Sequence, residues 1–311
     1  MRSVRLFRVP RSRFVHENLG KKDRHSLFFL HHAMSTTIVR QRSCRLTAST
    51  LKLSSIQRRQ QTTTTSRPVP QSAPNARFLS ETKSRIGKCL TFGLPEELLP
   101  KAASILSTVS TKWRSLTIGT EGYLADPYHA GLYRHPIVWG EQDSMGHVNN
   151  VMYLRYAESG RTNWTRNLGK YFDPAHKAQW DEMLTNKAVG LILKSITVDF
   201  KFPMTWPDRI TVCHKLRSRP DASTESMLLD VVILSERTQR PAARCLEDVV
   251  VYDYKIGKKS GMPDFMLDQF KQVWELQEKE KAASSKKVEQ LMLEVRELEK
   301  GSWDREGAVE Q

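Results

Sequence analysis

Read only as apolar and polar positions, residues 190–254 form a series of strands. In 190–203, Ile192, Ile196, Val198, Phe200 and Phe202 alternate with Ser195, Thr197, Asp199 and Lys201, the period of two of a sheet with one buried face. In 209–217, Ile210, Val212, His214 and Leu216 alternate with Thr211, Cys213, Lys215 and Arg217 in the same way. Segments 226–235 and 242–254 are more continuously apolar, which suits central strands. Pro207-Asp208, Arg219-Pro220-Asp221 and Arg240-Pro241 break the chain between them. Upstream the period changes. From about Val148 the residues Tyr153, Ala157, Gly160 and Trp164 fall on one helical face, and the small Ala157 and Gly160 let that helix approach another backbone closely. Leu168-Gly169 ends it. A short first strand is predicted at His135–Trp139. Strand, long helix and four strands joined by short turns make an antiparallel sheet with one helix against its face, an α+β arrangement.

The flanks read as helical. Residues 80–134 begin as a basic linker; a helix follows, with Ala102, Ile105, Leu106, Val109, Trp113 and Leu116 on one stripe. Pro95-Glu96-Glu97 suits its start, since proline loses nothing in a first turn and acids suit the positive end of the helix dipole. Asp173-Pro174 opens a short connecting helix over 174–184, where His176 reads as a solvated residue rather than a ligand. In 256–311, Met266, Phe270, Val273 and Trp274 form one stripe and Val288, Leu291, Val295 and Leu298 another. Two heptads are too few for a coiled coil, so this C-terminal extension is read as a solvated amphipathic helix.

Charge changes the picture. The chain carries a net +15, yet residues 1–80 hold 16 Lys/Arg against only Glu17 and Asp23, and the other 231 residues hold 33 basic and 32 acidic side chains. A nucleic-acid partner would call for the basic excess on the folded part, so that class is set aside. From Arg24 to Ser80 there are nine Arg/Lys, 17 Ser/Thr and no acid. That composition is that of a mitochondrial presequence, and residues 1–79 are read as a disordered leader directing the chain to the matrix. Arg77-Phe78-Leu79-Ser80 fits a processing pattern that would leave a chain starting at Ser80; either Met1 or Met34 would start a complete presequence. Leu27–Leu30, the longest apolar run near the start, is far short of the roughly 20 residues of a membrane span. Cys44, Cys89, Cys213 and Cys245 show no metal or disulfide spacing, and no metal or redox cofactor is expected.

The chemistry concentrates in Trp139–Trp164. Asp143 lies in the loop between first strand and helix, four residues before His147, and Gly146 permits a tight turn. The amides of residues 146–150 would lie unpaired at the helix N-terminus and could hold the oxygen of a polarised carbonyl. A carboxylate beside that oxygen can act as general base to water or attack the carbonyl itself. The same spacing suits Asp143 and Asn149 as plain helix caps.

This stretch resembles the signature of hotdog-fold acyl-CoA thioesterases of the 4-hydroxybenzoyl-CoA thioesterase type: a strand ending in an aromatic, acid-x-Asp-x-x-Gly-(His)-Val-Asn-Asn, a Tyr and a later Glu. Here these are Trp139, Glu141, Asp143, Gly146, His147, Val148, Asn149, Asn150, Tyr153 and Glu158. The resemblance spans residues 135–255. It implies a hotdog fold, with the antiparallel sheet wrapped around one long central helix and N- and C-terminal helical extensions added. It also implies hydrolysis of an acyl-CoA thioester. The family's catalytic Asp falls on Asp143 and its oxyanion amides near His147–Asn149. His147, Asn149 and Glu158 join Asp143 as candidate catalytic residues, and Gly146, Val148, Asn150 and Tyr153 as substrate contacts. A homodimer or homotetramer with a site shared between subunits is expected, and Lys215-Arg217-Arg219 or Arg237-Arg240-Arg244 are candidates for the CoA phosphates. The loop also resembles the Asp-x-Asn-x-His of plant acyl-carrier-protein thioesterases, but Met145 replaces the Asn. Hotdog hydratases set Asp and His five apart with Asn and Pro between; here the gap is four and both residues are missing. A non-catalytic hotdog module within a mitochondrial assembly is the other reading.

Overall fold

The helix predicted near Val148 runs from Asn150 to Asn167 (α4) and lies in the curve of an antiparallel sheet. A computed structural model describes residues 77–307 of the chain, so the leader lies almost wholly outside the described residues. The strands are β1 (Leu132–Pro136), β2 (Val189–Phe200), β3 (Arg209–Leu216), β4 (Ser226–Ser235), β5 (Arg240–Asp253) and the two-residue β6 (Lys258–Lys259). Their order is β1-β3-β4-β5-β2, with β6 paired to β5. The first strand sits three residues earlier than predicted. Pro136 has no amide to continue the ladder, and Trp139–Glu141 form a 3₁₀ turn, leaving Val138 and Trp139 exposed.

Strand β2 carries a bulge. Leu193 pairs with Val249 but Ser195 with Asp248, so Lys194 is the extra residue. The bulge keeps Val189, Leu191 and Leu193 on the same face as Ile196, Val198 and Phe200, because each pairs with a β5 residue facing α4. Without it the first three would point away from the helix.

Gly160 is where helix and sheet come closest. A Cβ there would stand 2.9 Å from His214 Cε1 and 2.9 Å from Val212 Cγ1 of β3. On the other side, a Cβ on Gly131 would stand 2.2 Å from the Gly160 carbonyl oxygen. Beside this crossing, His214 stacks on Trp164 with ring centres 5.9 Å apart, and the buried Glu247 of β5 accepts from Arg161 Nη1 at 2.7 Å. Burial, with the Arg161 charge adding to it, pushes the His214 imidazole down to about 3, so it is neutral near pH 7. Glu247 is raised by burial against the opposing pull of Arg161.

The outer face of the sheet is covered by helices α1 (Phe78–Thr91), α2 (Leu99–Thr111), α3 (Trp113–Ile118) and α6 (Asp264–Lys300), packed on Cys213, Val232 and Leu234. Three expectations change here. The linker at 80–94 is largely helix α1, because Phe78, Leu79, Ile86 and Cys89 form a buried stripe among its charges. The predicted 79/80 boundary therefore falls inside α1. The helix over 95–116 breaks at Lys112 into α2 and α3. The C-terminal helix is not solvated: its first stripe, Met266, Phe270 and Val273, packs with Trp164, and its second, Leu291, Val295 and Leu298, packs with the N-terminal helices. Gln277 fixes it in place, donating to Leu216 O at 3.0 Å and accepting from Leu216 N at 2.9 Å. The connecting helix shortens to α5 (Lys177–Glu182) after a 3₁₀ turn, and its His176 pairs with Asp173 at 2.8 Å. No helix among the described residues is long and apolar enough to cross a membrane.

The crossing gives the first prediction. Gly160→Ala will destabilise the protein by about 1–3 kcal/mol through overpacking, read as a lowered thermal midpoint; an unchanged midpoint would show that the contact is slack.

Candidate active site

The loop before α4 is shaped by its own backbone. Asp143 N donates to His147 O at 2.8 Å, Gly146 N donates to Asp143 O at 3.1 Å, and Gln142 forms an antiparallel bridge with Val148. Gly146 has φ +74°, a left-handed value that favours glycine, so its role is the turn itself. Gln142 braces the loop: its Nε2 donates to Gly146 O at 2.7 Å and its Oε1 accepts from Trp206 N at 3.2 Å.

Glu141, to which the sequence reading gave no chemistry, is a second brace. Its Oε2 accepts from Val138 N at 2.9 Å and from the Tyr156 hydroxyl at 2.7 Å, tying the loop entry to α4. Two more bonds fix the facing segment: Val148 N donates to Met204 O at 2.8 Å, and Met204 N donates to the Tyr153 hydroxyl at 3.1 Å. Burial raises the Tyr153 phenol, which stays protonated and bound.

Between these walls lies a cleft of about 440 Å³. Asp143, Met145, His147, Val148, Asn150 and Tyr153 line one side; Phe200, Lys201, Phe202 and Pro203 close the other. The second wall was legible only as sheet alternation, since nothing local marks Phe200 and Phe202 as facing a cleft. Asp143 Oδ1 accepts from Met145 N at 2.9 Å and His147 N at 3.2 Å. Among the described residues Oδ2 has no donor.

The amides correct the sequence reading. His147 N is bound to Asp143, Val148 N to Met204 and Asn149 N to Glu141, so none of the three is open to a ligand. Val151 N is capped by Asn149 Oδ1 at 3.0 Å, and Met152 N is bound to Asn149 O. Asn150 N–H alone in residues 146–152 has no acceptor among the described residues, and Asn150 lines the cleft. Of the amides of 146–150 expected to be unpaired, loop pairing thus satisfies all but the last.

The structure brings Asp143, His147, Val148, Asn150 and Tyr153 together. It does not bring in Asn149, whose side chain is the helix cap, nor Glu158, which lies about 12 Å further along α4 and faces a different cleft. Of the basic runs, Lys215 and Arg217 face Asp230, Arg219 faces Glu275 and Arg244 is paired with Glu121. Arg240 stacks over the Phe202 ring at 4.0 Å, and Arg237 donates to Thr205 at 2.6 Å, which puts both beside the cleft wall.

A five-strand antiparallel sheet in the order β1-β3-β4-β5-β2, curved around one helix with an acid-bearing loop before it, defines a hotdog protein. A family model described as the thioesterase-like superfamily matches residues 137–270 of the chain. Among solved structures the chain is similar to a Pseudomonas aeruginosa protein assigned as a thioesterase, at 23% identity over 42% of this chain and 91% of that one, with a TM-score of 0.35. It is also similar to a 1,4-dihydroxy-2-naphthoyl-CoA thioesterase from Synechocystis, at 18% identity over 44% and 93% of the two chains and a TM-score of 0.37. A thioesterase from Thermus thermophilus solved with coenzyme A and zinc gives 17% identity, 46% and 92% coverage and a TM-score of 0.36. No curated protein matches the chain in sequence.

Because Asn149 is the cap of α4, Asn149→Ala will cost about 1 kcal/mol of stability and Asn149→Ser will restore most of it, as read by denaturant unfolding. Equal stability of all three proteins would contradict the capping role.

Proposed function

We propose that the chain hydrolyses an acyl-CoA thioester to the free acid and CoA. The observation that supports this most is the pairing of Asp143 Oδ2, unbound and lining the cleft, with the open Asn150 N–H at the start of α4. In this reading the thioester carbonyl oxygen accepts from Asn150 N–H, helped by the partial positive charge of the helix end. Asp143 Oδ2 takes a proton from water as the hydroxyl oxygen bonds to the carbonyl carbon. The tetrahedral adduct then collapses, the C–S bond breaks, and the proton leaves with the CoA sulfur. Direct attack by Asp143, giving a mixed anhydride that water later opens, fits the same placement. Asp143 is fixed for either role because its Oδ1 is held by two amides. His147, on the cleft wall, would orient water or substrate. Arg237 and Arg240, beside Phe202, are the best-placed basic residues for the CoA phosphates.

The assembly follows from which surfaces are free. The outer face of the sheet is covered by α1–α3 and α6, so sheets of two copies cannot stack on that face. Strand β2 is an edge of the sheet, with an unpaired backbone row. A homodimer joined along β2 is therefore our reading, in preference to a tetramer. The leader, arginine- and hydroxyl-rich and without an acid from Arg24 to Ser80, supports residence in the mitochondrial matrix. Recovery of the full chain from the cytosol, with none in isolated mitochondria, would contradict that.

The same helical cover favours the second reading, a hotdog module that binds partners without catalysis, since it adds surface unrelated to the cleft. Asp143→Asn separates the two. It keeps the Oδ1 acceptor but removes the base, so CoA release by the purified protein will fall about a thousandfold while the circular dichroism spectrum is unchanged. Full activity in the variant would overturn the assignment of Asp143, and no CoA release by the unmodified protein would favour the module.

A further inference from the structure

A second cleft, of about 490 Å³, lies further along α4. It is lined by Arg161, Thr162 and Thr165 of α4, by Asn186 before β2, and by Leu191 and Leu193 of β2. Both clefts thus lie between α4 and β2, and the two elements run in opposite directions: Asn150 and Tyr153 stand opposite Phe200–Phe202, while Arg161 and Thr165 stand opposite Leu191–Leu193. One face of β2 runs from one cleft to the other, because the bulge keeps Leu191, Leu193, Ile196, Val198 and Phe200 on the side toward α4. Ile196 and Val198, between the clefts, are half-buried and Phe200 is 43% exposed. The seam is an apolar rail about 16 Å long from Asn150 to Arg161, counted at about 1.5 Å per helical residue.

The far end of the rail is polar. The Thr162 hydroxyl and the Asn186 side-chain amide have no hydrogen-bond partner among the described residues. Arg161 gives only Nη1 to Glu247. Beneath it, Glu247 Oε2 and both ring nitrogens of His214 are buried with no hydrogen-bond partner in the described residues. Charge decides what such an end would accept. Arg161 is balanced by Glu247, His214 adds no charge, and Glu158 stands at the rim, so the end carries no positive excess. A carboxylate would be repelled there, and a bare methyl would displace water from the half-buried Thr162 hydroxyl and Arg161 guanidinium without replacing its hydrogen bonds.

We infer that the α4–β2 seam takes the acyl group, and that its Arg161/Thr162/Asn186 end selects a long chain carrying a neutral hydroxyl near its distal end. The inference rests on the thioesterase reading above: it places the thioester at Asp143 and extends the chain away from it. Short acyl groups and single-ring aryl groups would fill only the first cleft.

The test uses the full chain and four CoA thioesters: a short straight chain, a long straight chain, and the long chain with a terminal hydroxyl or a terminal carboxylate. The hydroxylated substrate is expected to exceed the unsubstituted long chain in kcat/KM by about tenfold, the scale of one or two hydrogen bonds, with the carboxylated one lowest. Thr162→Val will reduce the hydroxyl preference to about twofold or less. Equal rates on the hydroxylated and plain long chains, a best rate on the carboxylated one, or a preference that survives in Thr162→Val with Asn186→Ala would overturn the inference. A binding measurement keeps it separate from catalysis. Titration of the unmodified protein with the free hydroxylated long-chain acid and with its plain counterpart will show the same preference even where no thioester is cleaved. In that case the catalytic reading fails and this one stands. Binding of neither acid, as when a second copy fills the seam, would overturn it.

Discussion

Everything in this domain depends on how closely α4 can lie on the sheet. Gly160 meets Val212 and His214 on one side and the chain at Gly131 on the other, leaving no room for a side chain. That approach sets the height of the helix, and the height sets where its N-terminus meets the loop. The Tyr156 and Tyr153 hydroxyls, both on α4, bind Glu141 and the Met204 amide, so they hold the loop entry and the opposite cleft wall from the same helix. A helix standing further out would lose both. Both walls of the site thus hang from one element.

Hydrogen bonding then decides which groups can do chemistry. A loop this tight satisfies most of its own amides, and the bound ones are removed from any oxyanion role. The Asn150 amide and one Asp143 carboxylate oxygen are left without a partner among the described residues, and both residues line the same cleft. The N-terminal helices lie away from that cleft, and α6 meets α4 only at its far end, where Phe270 stacks on Trp164. The N-terminal helices and the later part of α6 cover the outer face of the sheet; Arg85 with Glu299 ties the two ends of the folded chain to each other, and Arg114 with Glu236 ties α3 to the end of β4.

Most of the fold was legible in the sequence, because alternation and helical spacing report directly on burial. The four later strands and the small-residue face of α4 fall within a few residues of their predicted places. What escaped depends on long-range contacts. Nothing in 80–94 says that its apolar residues have a partner, since that partner is α6, about two hundred residues on. The C-terminal stripes were visible, but the surface that buries them was not. In the site, position before a helix left Asp143 open between cap and catalytic acid, and the resemblance singled it out; the fold places it on the wall of a cleft. The loss of the His147–Asn149 amides was not legible, because it follows from acceptors at Met204 and Glu141 that only the folded loop supplies. Asn149 and Glu158 mark the limit of the resemblance: it put both beside Asp143, but Asn149 is the cap that its spacing allowed, and Glu158 lines a second cleft.

The central claim is that Asp143 and Asn150 face one carbonyl. A crystal structure with an acyl-CoA analogue, its thioester sulfur replaced by methylene, tests this most directly. The account predicts the ketone oxygen within hydrogen-bond distance of Asn150 N–H, with Asp143 Oδ2 facing the carbonyl carbon. An analogue bound with its carbonyl away from both groups would contradict it.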